Sequence, residues 1–129
     1  MSCVEQRRPA VLAIDDDPNI LDIIKTHLES EGFAVVVHDE PQQALQWYAA
    51  HWAAVDVVLL DYKMPGLNGE AVFDGLRRIN PGTRVVLLTA CDAAVATGLF
   101  EKGLCGYLQK PFYLSQLTQV VRAAMEANR

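Results

Sequence analysis

Residues 57–60, Val57-Val58-Leu59-Leu60, are an unbroken run of branched aliphatics, and Asp61 follows them directly. A run without polar alternation fits a strand buried on both faces, the central position of a parallel sheet. The chain then breaks into a loop at Pro65, Gly66, Asn68 and Gly69. An acid at the carboxyl end of a buried strand, facing a loop, lies where open α/β sheets hold their ligands. Aspartate also ends strands for turn chemistry alone, so the other strand ends must decide between the two readings.

The rest of the chain alternates strand and helix. Short apolar runs predict strands at 11–14, 33–37, 85–88 and 105–108, flanking the one at 57–60. Asp17-Pro18 is a helix start, with Asp as N-cap and Pro at the first helical position. Ile20, Ile23, Ile24 and Leu28 then recur at helical spacing, and the first helix is expected from Pro18 to Glu31, ended by Gly32. Pro41 opens a second helix that runs to His51 or Trp52, and Asn68 caps a third with Val72, Phe73, Leu76 and Ile79 on its inner side. A fourth helix, 92–102, is poorly specified, because Gly98 and the β-branched Val95 and Thr97 weaken a helix interior. A fifth, 114–127, turns Leu117, Val120, Val121 and Ala124 inward.

This is a (βα)5 alternation. Right-handed crossovers on so short a chain predict an α/β three-layer sandwich of the flavodoxin-like kind, helices on both faces of a doubly wound parallel sheet. The common strand order for five such units is 2-1-3-4-5, with strands 1 and 3 adjacent at the topological switch point. One domain is expected over 11–127, with 1–10 as an N-terminal leader.

Composition narrows the function classes. A net charge of −5 argues against nucleic acid as a direct partner, since phosphate backbones are held by clustered Lys and Arg. No apolar run approaches the roughly 18 residues needed to span a bilayer, and residues 1–10 are polar, without the apolar stretch of a signal peptide. The cysteines, Cys3, Cys91 and Cys105, are odd in number and widely spaced. They fit reduced thiols and a cytoplasmic location. His27, His38 and His51 stand outside any partner motif and are expected on the surface.

In the order 2-1-3-4-5, the strand ends carry Asp15 and Asp16, Asp61, Thr89 and Lys110, all opening onto one crevice. Three crowded carboxylates repel one another and would partly protonate unless a cation sat among them. Hard oxygen donors on a loose loop suit Mg²⁺. Thr89 offers a hydroxyl donor, and Lys110 a mobile charge suited to a phosphate oxygen. Taken singly, Thr89 is an ordinary strand-end hydroxyl and Lys110 a solvated charge. Together with the carboxylates they form the set that phosphoryl transfer to an aspartate needs.

The ordered stretches Val11-Leu-Ala-Ile-Asp-Asp-Asp17, Leu60-Asp-Tyr-Lys-Met-Pro-Gly66 with Gly69, Leu88-Thr-Ala90 and Tyr107-Leu-Gln-Lys-Pro-Phe112 resemble the response-regulator receiver domain of two-component signalling. The resemblance covers 11–127 and implies a phosphoacceptor signalling domain rather than an enzyme acting on a separate substrate. It implies that Asp61 takes a phosphoryl group from a phosphohistidine on a sensor histidine kinase or histidine phosphotransfer protein. It further implies Mg²⁺ (or Mn²⁺) on Asp16, Asp61 and the backbone carbonyl of Lys63, with Asp15 in support. Thr89 and Lys110 would contact the phosphoryl oxygens, Thr89 and Tyr107 would form the switch, and the Lys110–Pro111 bond would be cis.

The face of the fourth helix, fifth strand and fifth helix would carry the change to a downstream output domain or protein, and a homodimer through that face is implied. Kinase docking would fall on the exposed edge of the first helix. Tyr113 replaces the usual short capping residue, so the last helix is expected to begin late, at Ser115. Two rival readings remain at this level. One is a haloacid-dehalogenase-type phosphatase with an Asp15/Asp17 pair, although Asn19 breaks its motif. The other is a receiver-like interaction module that never takes phosphate.

Lys63 and Cys91, each two residues beyond a site residue, occupy positions that vary between receivers and tune phosphoryl lifetime. With its ammonium leaning over the phosphoryl group, Lys63 would alter access of the attacking water. Lys63→Ala is expected to change the dephosphorylation rate constant, and an unchanged rate would remove Lys63 from this role.

Overall fold

The computed structural model describes residues 8–62, 69–89 and 93–126, with side chains from 97 onward in the last stretch. In chain order the elements are β1 (Ala10–Ile14), α1 (Pro18–Ser30), β2 (Ala34–His38), α2 (Pro41–His51, continued by a 3₁₀ turn at Trp52–Ala54) and β3 (Val57–Asp61). There follow α3 (Gly69–Ile79), β4 (Val85–Thr89), α4 (Ala93–Glu101), β5 (Gly106–Gln109) and α5 (Leu114–Glu126). The strands form one parallel sheet in the order β2-β1-β3-β4-β5. The expected fold class and strand order are therefore those observed.

Local chemistry accounts for most boundaries. Asp17 Oδ1 accepts the backbone N–H of Asn19 at 2.9 Å, and Pro18 opens α1 as anticipated. At the other end, Gly32 with φ +99° takes the left-handed conformation that stops the helix. The Asn68 cap expected for α3 lies outside the described residues. α5 begins at Leu114, the start that periodicity predicts, and not at the later Ser115 that Tyr113 suggested. The Tyr113 N–H donates to Gln116 Oε1 at 2.8 Å, which is half of a capping box and replaces the missing short side chain.

Strand ends were the less legible part. β2 is shifted one residue forward because His38 pairs with Ile14 at the end of β1, and β5 is shifted likewise because Gln109 pairs with Thr89. β1 starts at Ala10, whose N–H is held by Asp56 Oδ2 at 2.7 Å while its carbonyl accepts the Asp56 N–H at 2.8 Å. That reciprocal pair aligns the lower ends of β1 and β3.

Side-chain alternation along the strands splits the interior into two halves. Val11, Ala13, Val57, Leu59, Val86 and Leu88 pack on one face under α1 and α5, through Leu21, Ile24, Leu28, Leu117 and Val121. Leu12, Ile14, Val58, Leu60, Val85 and Leu87 pack on the other under α2, α3 and α4, through Tyr48, Phe73, Leu76 and Leu99. β3 and β4 are buried along their whole length. These central strands meet water only at their ends, which is where their polar residues, Asp61 and Thr89, lie.

Three side chains depart from expectation. Ile23, assigned to the inner stripe of α1, is 49% exposed, and Leu21 takes the inner position. His27 is half-buried, its Nε2 lying 2.7 Å from Thr118 Oγ1, which ties α1 to α5. His38 is also half-buried, its ring tilted against Trp47 at 5.9 Å between centroids. Only His51 is exposed as expected.

Candidate functional site

The alternation that builds the core also aims the acids. Asp61 continues the series Val57, Leu59, and Asp15 continues Val11, Ala13, so both fall on the α1–α5 face of the sheet at its carboxyl edge. β1 and β3 are neighbours, with Ile14 opposite Leu60, and the residues that follow them stand side by side. One carboxylate oxygen from each of Asp15, Asp16 and Asp61 lies within 4.8 Å of the others. Asp15 and Asp61 are buried, and Asp16 is exposed at the mouth.

Lys110 completes the group. Its ammonium donates to Asp15 Oδ2 at 2.9 Å and to Asp61 Oδ1 at 3.3 Å. It is brought there by the end of β5, where the Lys110 N–H donates to the Thr89 carbonyl at 2.8 Å and the Lys110–Pro111 bond is cis, as expected. Asp15 Oδ1 accepts the Asp17 N–H at 2.9 Å, so both oxygens of Asp15 are engaged. Asp61 Oδ2 has no protein partner among the described residues.

Burial pushes the Asp61 carboxyl up, and the neighbouring Asp15 charge adds to the effect. The Lys110 ammonium and its hydrogen bond offset part of this, and Asp61 ends at about 6 against an ordinary 3.8. Burial alone would pull Lys110 down, but its hydrogen bond and charge contact with Asp15, then with Asp61, hold it above its ordinary value. Among the described residues the set is thus oxygen-rich, crowded with negative charge and only partly neutralised by one ammonium. A hard divalent cation among the three carboxylates would relieve that crowding, and the donor chemistry fits Mg²⁺.

Thr89 is buried at the end of β4, next to Leu88, which pairs with Asp61. Tyr107 pairs with Leu87, so it lies on the same face of the sheet as Thr89 and one step down the neighbouring strand. Tyr107 is half-buried against the α2–α3–α4 half of the core. The structure therefore brings together Asp15, Asp16, Asp61 and Lys110, with Thr89 at the adjoining strand end. Lys63 and Cys91 lie outside the described residues. Asp17 is outside the carboxylate group and serves as the α1 cap, which removes one half of the Asp15/Asp17 pair that a dehalogenase-type site requires.

An apolar groove that sequence reasoning noticed only as the edge of a helix adjoins the site. Ile20, Ile23 and Ile24 of α1 face Pro111, Phe112 and Leu114 across about 450 Å³, with Lys110 at its end. The available signal was the spacing of Ile23, an apolar residue beside the Leu21–Ile24–Leu28 stripe rather than within it. Among the described residues, no helix is long and apolar enough to cross a membrane.

The model of the response regulator receiver domain matches residues 11–122. An uncharacterised transcriptional regulatory protein of Bacillus subtilis, YkoG, is 35% identical over 120 residues, covering 92% of this chain and 51% of that protein. The DNA-binding response regulator MtrA of Mycolicibacterium smegmatis is 36% identical over 126 residues, covering 97% of this chain and 54% of that protein. The chain thus spans about half the length of these curated relatives. The crystal structure of a response regulator receiver domain protein from Clostridium thermocellum superposes with a TM-score of 0.85 at 30% identity, covering 91% of this chain and 94% of that one.

The elevated Asp61 carboxyl has a stability consequence whose sign is fixed by linkage. Below pH 3.8 Asp61 is neutral folded or unfolded and costs nothing; between 3.8 and about 6 the unfolded chain ionises first, and the fold loses stability as pH rises. In chelator, Asp61→Asn is therefore expected to raise stability at pH 7–8 by about 1–2 kcal/mol, allowing for solvent screening at the crevice mouth. The gain should fade below pH 4, as read from urea midpoints across the pH range.

Proposed function

The chain belongs to the response regulator receiver family of two-component signalling, and from that membership we propose that Asp61 is its phosphoacceptor. The observation that carries this reading is the meeting of Asp15, Asp16 and Asp61 within 4.8 Å, with the Lys110 ammonium spanning two of them. Asp61 Oδ2 bonds to the phosphorus of a phosphohistidine; the N–P bond breaks, and its electron pair stays on the donor's imidazole nitrogen. The product is an acyl phosphate on Asp61.

Receiver domains bind Mg²⁺ at an acidic pocket, and this chain has such a cluster. Here Asp16 and Asp61, with the Lys63 carbonyl and Asp15 in support, would hold Mg²⁺, which supplies charge neutralisation for the transferred group. The chain's own contribution is positional. Lys110, already tethered to Asp15, is placed to meet a phosphoryl oxygen once that oxygen replaces its Asp61 contact, and the Thr89 hydroxyl is assigned to another. Asp15, with both oxygens engaged, orients Lys110 rather than attacking.

Response regulators interact with kinases or phosphotransfer proteins. The donor here is taken to be a sensor histidine kinase or histidine phosphotransfer protein, docking along the groove of Ile20, Ile23, Phe112 and Leu114. That groove is apolar and opens beside Lys110, so a phosphohistidine on the docked partner reaches Asp61 without crossing the core. The output is assigned to the face of α4, β5 and α5. Thr89 and Tyr107 share one side of adjacent strands, so movement of Thr89 toward a phosphoryl oxygen frees space along the path of the Tyr107 ring.

Acetyl [³²P]phosphate with Mg²⁺ is expected to label the protein at Asp61, and Asp61→Asn to abolish the label. Label on Asp15 instead would favour the dehalogenase-type chemistry. Amide exchange over 93–106 is expected to change when beryllofluoride and Mg²⁺ are added. Identical exchange with and without them would detach this face from the site.

A further inference from the structure

Gly69, the first residue of α3, is buried against the residue that follows Asp61. Its N–H donates to the Tyr62 carbonyl at 2.8 Å. A Cβ built on it would stand 2.7 Å from Tyr62 Cα, 2.7 Å from Tyr62 O and 2.9 Å from Tyr62 Cδ1. Two of these atoms are backbone, so no side-chain rotation relieves the overlap. The φ of Gly69 is outside the left-handed region, unlike those of Gly32 and Gly103, so the backbone conformation itself would accept an alanine. What excludes a side chain is space.

Both sides of this contact are held. α3 is anchored by the fully buried Val72, Phe73 and Leu76. β3 is hydrogen-bonded on both sides, and the Tyr62 N–H is held by the Leu88 carbonyl at 3.0 Å. The overlap would fall on Tyr62 Cα and O, one residue along the chain from Asp61. Any displacement there is passed to a carboxylate whose partner, Lys110, is only 3.3 Å away.

We infer that Gly69 is a positioning residue for the phosphoacceptor. By carrying no Cβ, it lets α3 start against the Tyr62 backbone and so sets the Asp61 carboxylate relative to Asp15 and Lys110. The inference rests on the reading of Asp61 given above and adds a residue that does not touch the reacting atoms.

Gly75→Ala is the matched control. It lies on the same helix, and its Cβ would meet the Leu45 side chain at 3.1 Å, away from Tyr62. Gly69→Ala is expected to weaken Mg²⁺ binding and to slow phosphorylation at saturating acetyl phosphate and Mg²⁺ by about tenfold or more, the scale of a sub-ångström misplacement. It should also shift the Asp61 and Asp15 side-chain carboxyl ¹³C resonances in metal-free protein. Gly75→Ala should leave all three readouts at wild-type values. Adding Tyr62→Ala to Gly69→Ala removes only the Cδ1 contact and is expected not to restore the rate.

Wild-type behaviour of Gly69→Ala, or losses that Gly75→Ala reproduces, would overturn the inference. So would a Gly69→Ala chain that stays unfolded in trimethylamine N-oxide, which favours the compact state, because the glycine would then serve the fold alone. If the wild-type protein takes neither Mg²⁺ nor phosphoryl while the carboxyl resonances still move only in Gly69→Ala, the phosphoacceptor reading fails and the positioning role stands.

Discussion

Asp15 and Asp61 are buried carboxylates held close together at the tips of adjacent strands, with the Lys110 ammonium, the one cation found there among the described residues, between them. Like charges in a desolvated crevice repel, and one lysine cannot neutralise three acids. The sheet imposes this arrangement, since β1 and β3 are adjacent and both are buried up to their carboxyl ends. Stability is lost locally so that the site carries a standing demand for positive charge or for a reaction that redistributes the negative charge. Burial and the Asp15 charge raise the Asp61 carboxyl for the same reason.

The two halves of the core divide the labour. The half under α1 and α5 shares its side of the sheet with Asp15 and Asp61, and beside it opens the groove of Ile23, Phe112 and Leu114. The half under α2, α3 and α4 shares its side with Thr89 and Tyr107. A donor docked along α1 as proposed would approach the acids from one face, while the proposed switch residues lie on the other. The two sides meet at the carboxyl edge of the sheet, where the Lys110 N–H is bonded to the Thr89 carbonyl.

Much of the site was legible because its residues sit at interruptions of strong patterns. Asp61 ends an aliphatic run, Asp15 and Asp16 end another, and Thr89 and Lys110 close the last two strands. The chain order of elements and the Asp17 cap followed from equally local chemistry. What failed was also local reasoning applied to tertiary questions. His27 looked like a surface residue because nothing near it in sequence pairs with it; its partner, Thr118, is 91 residues away. The ends of β2 and β5 were off by one because the neighbouring strand, through its register, decides where pairing stops. The later start of α5 inferred from Tyr113 failed because Gln116, three residues on, accepts the Tyr113 N–H.

The sequence by itself determined the alternation of five strands and five helices, the two-sided burial of β3, and the residue types waiting at the strand ends. Periodicity and turn chemistry act over a few residues, and they suffice for that. Only the tertiary structure decided that Lys110 spans Asp15 and Asp61, that Asp15 has both oxygens engaged while Asp61 keeps one oxygen without a protein partner among the described residues, and that α3 begins in contact with the Tyr62 backbone. Those are distances between residues far apart in the chain, set by how packed layers meet, and no local pattern carries them.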